Sequence, residues 1–349
     1  MASTESKDLM LALDQIAREK RISKESLLEA IASALTSAVK RNFGGTQNIS
    51  VELNEKTGVF RVLAKVEVVP QVENRFTQIA LADARRLQLE VAVGDWIEQE
   101  VTPKDFGRLA AQTAKQVVFQ KIKEAEREAS YAEYADKEGE MINGTIRRKE
   151  GNQVYIDLDE RSEAALPPKE QVPGERYEIG GRYRVYLQSV HRGIRGPELI
   201  VSRANKELVL RLFELEVPEI FEGRVEIKSI AREPGLRSKI AVASREEKID
   251  PVGACVGPKG IRIQAIVREL RGERIDIIRY SRDVKEFIAN ALSPAKISHV
   301  DLEEKSKTAT VVVQSDQLSL AIGKEGQNAR LAAKLTSWKI DIQAEGDAL

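Results

Sequence analysis

The chain has 349 residues, 42% of them hydrophobic, which is too long for one ordinary domain and enough to build cores for about two to four small ones. Its 55 lysines and arginines are balanced by 55 aspartates and glutamates, which excludes a nucleic-acid binder that depends on a large net positive charge. One cysteine excludes a disulfide framework, and the sequence shows neither a signal-peptide pattern nor an apolar run of about 18 residues. We therefore expect a cytoplasmic protein without a membrane partner.

The first part of the chain combines helical and strand-like patterns. An apolar residue recurs at every fourth position from Leu27 to Val39, which predicts a helix with one buried face, and Ser23 is a suitable N-cap for it. Valine-rich runs at 49–54 and 59–69 predict a hairpin with its turn at 55–58. The other elements predicted in this part are two helices within 8–41, a short helix near 81–89 and a strand at 96–101.

A long helix is predicted over residues 105–137. Its first half carries apolar positions such as Leu109 and Val117, whereas its second half is mostly charged. A helix that is polar nearly all round is typical of a connector between domains. We therefore place a domain boundary at residue 137 and assign residues 1–137 to one domain.

Short strand-like runs separated by turn residues fill residues 138–204. Five such runs in so short a segment predict a barrel of the OB type, an architecture that often binds oligonucleotides. The predicted strands lie at 141–148, 153–158, 162–166, 182–190 and 198–203.

The last third of the chain contains an internal repeat. When Gly257 is aligned with Gly323, Asp250 falls on Asp316, and both copies continue through a Gly-x-x-Gly loop to an Ile-Asp-Ile strand. Each copy has the order helix, strand, strand, helix, Gly-x-x-Gly loop, helix, strand, which predicts two consecutive KH modules. The copies occupy residues 205–282 and 283–349.

The glycines of these loops suit contact with an RNA backbone. They permit positive φ and carry no Cβ, so a phosphate could approach the amide groups at the start of the following helix. The helices and strand beside each loop leave an apolar groove for a few unpaired bases. One such loop alone is more often a turn between helices without a ligand, but two in matching repeats indicate RNA binding. The predicted RNA-contacting residues are Gly257, Pro258, Lys259, Gly260, Arg262, Arg268, Gly323, Lys324, Glu325, Gly326, Gln327, Asn328 and Arg330.

The two loops differ in charge. The first contains Lys259 and is followed by several arginines, whereas in the second Lys324 stands beside Glu325. We therefore expect the first loop to contribute more of the affinity for phosphate.

Long runs of the sequence resemble the NusA family of bacterial transcription termination/antitermination factors. The resemblance extends along essentially the whole chain and is carried by family-specific runs such as DFGRLAAQTAKQVVFQKIKEAERE and KIAVASREEKIDPVGACVGPKG. These and the other runs lie at 105–128, 214–227, 239–260, 272–278 and 321–332.

The resemblance implies a multidomain α+β protein. It would consist of an α/β N-terminal polymerase-binding domain, a five-stranded OB-fold barrel of the S1 type and two tandem type II KH domains with the order α-β-β-α-α-β. Such a protein binds RNA polymerase core near the RNA exit channel and holds nascent single-stranded RNA, and it modulates pausing, termination and antitermination without catalytic activity, cofactor or metal. Other Nus-type elongation factors are implied as partners, and we expect a monomer.

Two departures from the family pattern limit what is carried over. Some members continue into acidic repeats after the second KH domain, whereas this sequence stops at Leu349, so we expect a short form without the functions of those repeats. The early barrel strands carry Tyr155 without the closely spaced aromatics that many S1 domains use for stacking. Tyr183 and Tyr186 alternate along one strand and should face opposite sides, so at least one belongs to the core. Weaker RNA contacts in the barrel are predicted at Arg182, Arg184, Arg192 and Arg195.

Two other classes of function remain open at this point. An RNA-processing enzyme could combine KH and S1-type modules, although polynucleotide phosphorylases place one KH module before the barrel and two catalytic domains before both. A ribosome-associated RNA-binding protein is the other alternative. Neither loop has the GxxxxGK[ST] pattern of a nucleotide-binding loop, and no carboxylate pair or metal-binding cluster is evident, so catalysis is unsupported.

Overall fold

A computed structural model describes residues 2–20, 22–42, 48–54, 59–74, 77–87, 90–103, 106–159, 162–194 and 196–345. The chain forms two compact units, Met1–Ser130 and Tyr131–Leu349. The hairpin turn predicted at 55–58 and Arg195 lie outside the described residues.

The first unit contains a mixed sheet flanked by helices. In the sheet, β2 pairs antiparallel with β1 and β4 and parallel with β3. The helices are α1 (Ala2–Lys20), α2 (Lys24–Asn42), α3 (Leu81–Leu87) and α4 (Phe106–Ala135). The strands are β1 (Ile49–Asn54), β2 (Val59–Val69), β3 (Gln78–Ala80) and β4 (Trp96–Glu100).

The periodicity of α2 places its buried face as predicted. Leu27, Ile31, Leu35 and Val39 are all buried, and the Ser23 hydroxyl accepts a hydrogen bond from the Ser26 amide at 3.3 Å, so the predicted N-cap is confirmed.

In α4, Phe106 belongs to the apolar positions of the sequence pattern and is buried, but beyond it the buried stripe lies one position after the predicted one. Ala110, Ala114 and Val118 are buried, whereas Leu109 and Val117 are partly buried. A hydrophobicity pattern favours large side chains and therefore does not select the small alanines of this stripe.

The second unit begins with a closed five-stranded barrel in the order β5-β6-β7-β9-β8. Alternate residues of each strand point inward, among them Ile146, Ile156, Val185 and Leu187. All five predicted strands are therefore confirmed. They are β5 (Met141–Glu150), β6 (Gln153–Asp157), β7 (Glu163–Leu166), β8 (Arg182–Arg192) and β9 (Pro197–Ser202).

Two α-β-β-α-α-β modules follow the barrel. In each, the first two strands pair antiparallel and the third strand pairs parallel with the second, as the family resemblance implied. The first module contains α5 (Lys206–Glu216), α6 (Pro218–Phe221), β10 (Val225–Glu233), β11 (Arg237–Ser244), α7 (Pro251–Val256), α8 (Ile261–Glu269) and β12 (Arg274–Arg279). The second contains α9 (Val284–Ala291), β13 (Ile297–Glu303), β14 (Thr308–Val313), α10 (Leu318–Ile322), α11 (Gln327–Thr336) and β15 (Lys339–Ala344).

The apolar core of the second module includes residues of the first. Ala231 and Ala241, on the sheet of the first module, belong to the same buried cluster as Phe287 and Leu331 of the second. Because burial of this shared surface is favourable only while the modules stay together, the pair forms one body rather than two domains on a linker.

Candidate nucleic-acid interface

The two Gly-x-x-Gly loops have nearly the same backbone conformation. The first glycines have φ 72° and ψ 172° at Gly257 and φ 76° and ψ 170° at Gly323. The second glycines also match, with φ 76° at Gly260 and φ 72° at Gly326. The repeat seen in the sequence is therefore a repeat of geometry.

The first glycine of each loop is required by the fold. With φ near 70° and ψ near 170°, Gly257 and Gly323 occupy a region that is essentially restricted to glycine. A Cβ on Gly257 would lie 2.7 Å from Cγ of Arg262, and one on Gly323 would lie 2.7 Å from Cβ of Asn328. These two glycines therefore hold the loop against the start of the next helix.

The second glycine of each loop is open toward the surface. A Cβ on Gly260 would meet its nearest neighbour, Nε2 of Gln264, at 3.7 Å, and one on Gly326 would meet Nη1 of Arg330 at 4.0 Å. Both residues are left-handed N-caps, and neither α8 nor α11 has a side-chain hydrogen bond to its first amides from its N-cap. The first amides, those of Ile261 and Gln327, donate to the carbonyls of Pro258 and Lys324. The uncapped helix start and the helix dipole are what favour an anionic ligand such as an RNA phosphate.

Two residues of the predicted RNA-contacting set face inward. Arg262 donates to Glu219 at 2.8 Å and to the carbonyl of Ala254 at 2.6 Å. At the equivalent position of the second loop, Asn328 is 1% exposed and its amide donates to the carbonyls of Leu292 and Ala321. Both residues are among the predicted RNA contacts. In the structure their side chains donate to carbonyls of the helix before each loop, and Asn328 also donates to the carbonyl of Leu292 at the end of α9.

The exposed residues of the loops form the candidate contact surface. Pro258, Lys259, Lys324 and Glu325 are exposed. Within the described part of the chain neither lysine forms an ion pair, and Arg268, also exposed, forms only a hydrogen bond with the carbonyl of Gln264. Both lysines are therefore available to a phosphate.

Apolar side chains next to the loops are also exposed. Ile261, directly after the first loop, is 60% exposed, and Leu320 and Ile322 precede the second loop with exposed fractions of 45% and 38%. Apolar groups beside uncapped helix starts and exposed lysines suit a ligand that offers both flat bases and phosphates.

The barrel presents less for RNA to bind. The guanidinium of Arg148 covers the Tyr155 ring at 3.5 Å from its centroid. Tyr183 is buried in the barrel core, as expected for at least one of the two tyrosines, and Tyr186 packs against the core of the first KH module. None of these three rings therefore offers an open face for stacking.

The predicted barrel arginines differ in exposure. Arg182 is exposed, whereas Arg184 is half-buried, with Nη1 3.9 Å from Oε2 of Glu269. The Arg192 guanidinium lies 4.6 Å from the centroid of the Tyr131 ring. Of the predicted barrel contacts, Arg182 is therefore the one with the most open surroundings.

The sequence did not predict the buried position of Arg203. It is fully buried between the barrel and the first KH module and donates to Glu175 at 2.5 and 3.2 Å and to Glu269 at 3.1 Å. Burial is the largest single influence on the pKa of the guanidinium and would lower it. The hydrogen bond to Glu175 and the charges of Glu175 and Glu269 together outweigh burial, so the pKa is raised. Arg203 therefore stays charged and fastens the barrel to α8, the helix that follows the first loop.

The described residues offer neither a metal site nor a membrane-spanning helix. In the residues that the structure describes, no group of histidine, cysteine or acidic side chains could hold a metal ion. None of the described helices combines the length and the apolar character needed to cross a bilayer.

Comparisons with known proteins identify the family. Residues 8–128 match the model of the NusA N-terminal domain, and residues 203–280 and 284–349 match those of the NusA-like first and second KH domains. The transcription termination/antitermination protein NusA of Bacillus subtilis is 52% identical over 343 residues, which cover 98% of this chain and 92% of that protein. The protein of the same name from Halalkalibacterium halodurans is 51% identical over 341 residues, or 98% of this chain and 89% of that protein.

Among solved structures, the solution structure of the N-terminal domain of NusA from B. subtilis covers 35% of this chain and 98% of its own, with 52% identity and a TM-score of 0.31. The identity to full-length relatives over nearly all of both chains leads to one conclusion: this chain belongs to the NusA family of transcription termination/antitermination proteins.

Proposed function

We propose that the chain is a transcription elongation factor that holds nascent single-stranded RNA on its two Gly-x-x-Gly loops. The observation that carries this proposal is the pair of matching loops, whose second glycines and lysines are open to the surface while the first glycines anchor them to the fold. Family membership supplies the process, which is the modulation of pausing, termination and antitermination. The relatives are named for transcription, so they do not favour a ribosome-associated or RNA-processing role.

The first unit is proposed to bind RNA polymerase core near the RNA exit channel. Its support is the match of residues 8–128 to the NusA N-terminal domain. With one unit attached to polymerase, the local concentration of the loops at emerging RNA rises, so weak contacts suffice for a chain with zero net charge. Other Nus-type factors are proposed to join the complex, and the chain is proposed to act as a cytoplasmic monomer.

The proposal divides the chain into four segments. Its support is the three matched family models and the presence of four separate sheets. The segments are residues 1–137 for polymerase, 138–204 for the S1-type barrel, 205–282 for the first KH domain and 283–349 for the second.

Replacement of both second glycines by aspartate tests the RNA-binding proposal. Gly260→Asp and Gly326→Asp place a carboxylate where a phosphate would lie, and a Cβ fits at both positions. We expect the double variant to bind a labelled single-stranded RNA of about 12 nucleotides at least tenfold more weakly, since a KH loop clamps about four nucleotides. Co-purification with core RNA polymerase should be unchanged.

Gly223→Asp is the matched control. Gly223 lies in the turn before β10 with φ +71° and nothing within 4 Å of an added Cβ. Gly223→Asp therefore adds the charge and backbone cost of one of the two substitutions without touching a loop. RNA binding that survives in the double variant would refute the loop assignment. Failure of residues 1–137 to retain core polymerase would refute the anchoring role.

A further inference from the structure

The second loop is held by a residue of the first KH module. Arg330, four residues after Gly326, donates from Nη1 to the carbonyl of Glu325 at 3.1 Å, inside the loop. From Nε the same guanidinium donates to Oε1 of Glu233 at 2.6 Å. Glu233 is the last residue of β10, in the sheet of the first module. The loop of one module is therefore connected to the sheet of the other through a single arginine.

Glu233 also fixes the start of the helix that follows the second loop. Its Oε2 accepts a hydrogen bond of 2.9 Å from Nε2 of Gln327, the first residue of α11. The Glu233 side chain is 15% exposed, whereas that of Arg330 is 48% exposed, so the clamp lies at the edge of the surface. The hydrogen bond from Arg330 holds the pKa of Glu233 below its ordinary value, which keeps the carboxylate charged. We call the contacts of Glu233 with Arg330 and Gln327 the Glu233 clamp.

The first loop is supported from within its own module. The residues equivalent to Gln327 and Arg330 are Ile261 and Gln264, and in the described part of the chain neither makes a side-chain bond to another module. Arg262 instead ties the start of α8 to Glu219 and to the carbonyl of Ala254. The two loops have nearly the same backbone, but among the described residues only the second is bonded at these positions to a side chain of the neighbouring module.

We propose that Glu233 is a positioning residue for RNA binding by the second loop. It holds Arg330 against the Glu325 carbonyl and thereby keeps Glu325, at φ 52°, in the left-handed conformation of the loop, in which the Gln327 amide donates to the carbonyl of Lys324. The first KH module thus completes the RNA site of the second, and this inference rests on the proposed function of the loops. Glu233 itself contacts no RNA and acts through Arg330 and Gln327.

The test measures each loop separately in the full-length chain. In a Gly260→Asp background RNA binding reports on the second loop, and in a Gly326→Asp background it reports on the first. We expect Glu233→Ala to weaken binding of the same labelled RNA about fivefold or more in the first background and to leave it unchanged in the second. Glu233→Gln, which keeps one acceptor oxygen, should have an intermediate effect.

A matched control comes from the same strand. Glu226 lies on β10 and pairs with Lys228 and Arg245 of the first module. Glu226→Ala removes the same charge without touching the second loop and should not change binding in either background. Equal losses for Glu233→Ala in both backgrounds would indicate general damage and overturn the proposal, as would unchanged or tighter binding in the Gly260→Asp background.

Amide hydrogen exchange supplies a readout that needs no RNA. Glu233→Ala should speed exchange at Gly326 and Gln327 and leave Gly260 and Ile261 as in the unsubstituted chain. Exchange that does not change at the second loop would overturn the positioning role. Faster exchange at the second loop alone, in a chain whose RNA binding ignores both glycine variants, would support the clamp while refuting the proposed function of the loops.

Discussion

Arg203 and Glu269 face each other across the junction between the barrel and the first KH module, with Nη1 3.1 Å from Oε1. The guanidinium makes further bonds to Glu175 and to the carbonyls of Arg184 and Glu269, so each of its five N–H groups has a partner. Glu269 is the last residue of α8, so this junction fixes the C-terminal end of the helix whose N-terminal end follows the first loop.

Arg203→Met should destabilise the second unit strongly. The substitution removes the positive charge but leaves Glu175, whose side chain is 4% exposed, buried without its partner. Loss of one member of a buried ion pair costs about 3–5 kcal/mol, and we expect a decrease of that size in the free energy of unfolding measured by urea denaturation.

Two companion variants of Arg203→Met make the result specific. Adding Glu175→Gln removes the stranded charge and should recover part of the lost stability. Arg182→Met, at an exposed arginine of the same barrel, should change stability by no more than about 0.5 kcal/mol. Similar effects for the substitutions at Arg203 and Arg182 would contradict the assigned role.

The two glycines of the first loop should respond differently to alanine. Gly260→Ala keeps a left-handed conformation that costs about 1–2 kcal/mol, and its Cβ makes only ordinary contacts. Gly257→Ala should cost more than about 3 kcal/mol, because its backbone conformation is essentially restricted to glycine and its Cβ would overlap the stem of Arg262.

Arg262 cannot move aside cheaply, since Glu219 and the Ala254 carbonyl hold its guanidinium. Urea denaturation of the two alanine variants, compared with Gly223→Ala as a positive-φ glycine in open space, tests the ranking. If Gly260→Ala were as damaging as Gly257→Ala, the division into an anchoring and an open glycine would be wrong.

Helices and strands were predictable because their apolar periodicity involves only residues that are close in the sequence. The stripe from Leu27 to Val39 has a helical period, and the barrel strands alternate, so both were found from the sequence. The loops were found because the chain contains them twice, and the family resemblance supplied the module type.

The contacts that shape the site were not predictable in the same way. Arg203 reaches Glu269 over 66 residues, and Arg330 reaches Glu233 over 97. No periodicity relates such distant positions. The sequence alone also does not distinguish an arginine that forms an internal ion pair from one that binds phosphate. For this reason the sequence predicts Arg262 as an RNA contact, whereas in the structure its guanidinium bonds to Glu219 and Ala254 of the first KH module.

Cys255 should be unreactive in the folded chain. It is fully buried in the core of the first KH module, and burial raises the pKa of its thiol to about 12, from an ordinary value of 9.0. Since the thiolate is the reactive form, an alkylating reagent at pH 8 should not label the native chain but should label it in denaturant. Cys255 is the only cysteine, so the label reports on unfolding of this module.

The same pKa shift gives a pH dependence with a definite sign. Because the folded chain disfavours the thiolate, this contribution to stability is fully present below pH 9.0 and is lost as the pH rises toward about 12. Raising the pH from 7 to 9 should therefore speed labelling of the denatured chain and leave the native chain unlabelled. Rapid labelling of native protein at pH 8 would show that the module opens far more often than its packing implies.

Lys259 should contribute more to RNA affinity than Lys324. Both lysines are exposed and free of ion pairs among the described residues, but Glu325 stands next to Lys324 and repels the same phosphate that Lys324 attracts. We expect Lys259→Ala to weaken binding of the labelled RNA more than Lys324→Ala does. It should also reduce the slope of log affinity against log salt by about 0.7, the value for one phosphate contact on a single strand.

A third lysine serves as a control that distinguishes the loss of a phosphate contact from the loss of net charge. Lys305 is exposed in the turn between β13 and β14, and Lys305→Ala lowers the net charge equally. If affinity depended on net charge alone, the three variants would have the same salt dependence. Because the whole chain carries no net charge, we expect the slope to follow the position of the lysine, with Lys259 the largest and Lys305 near zero.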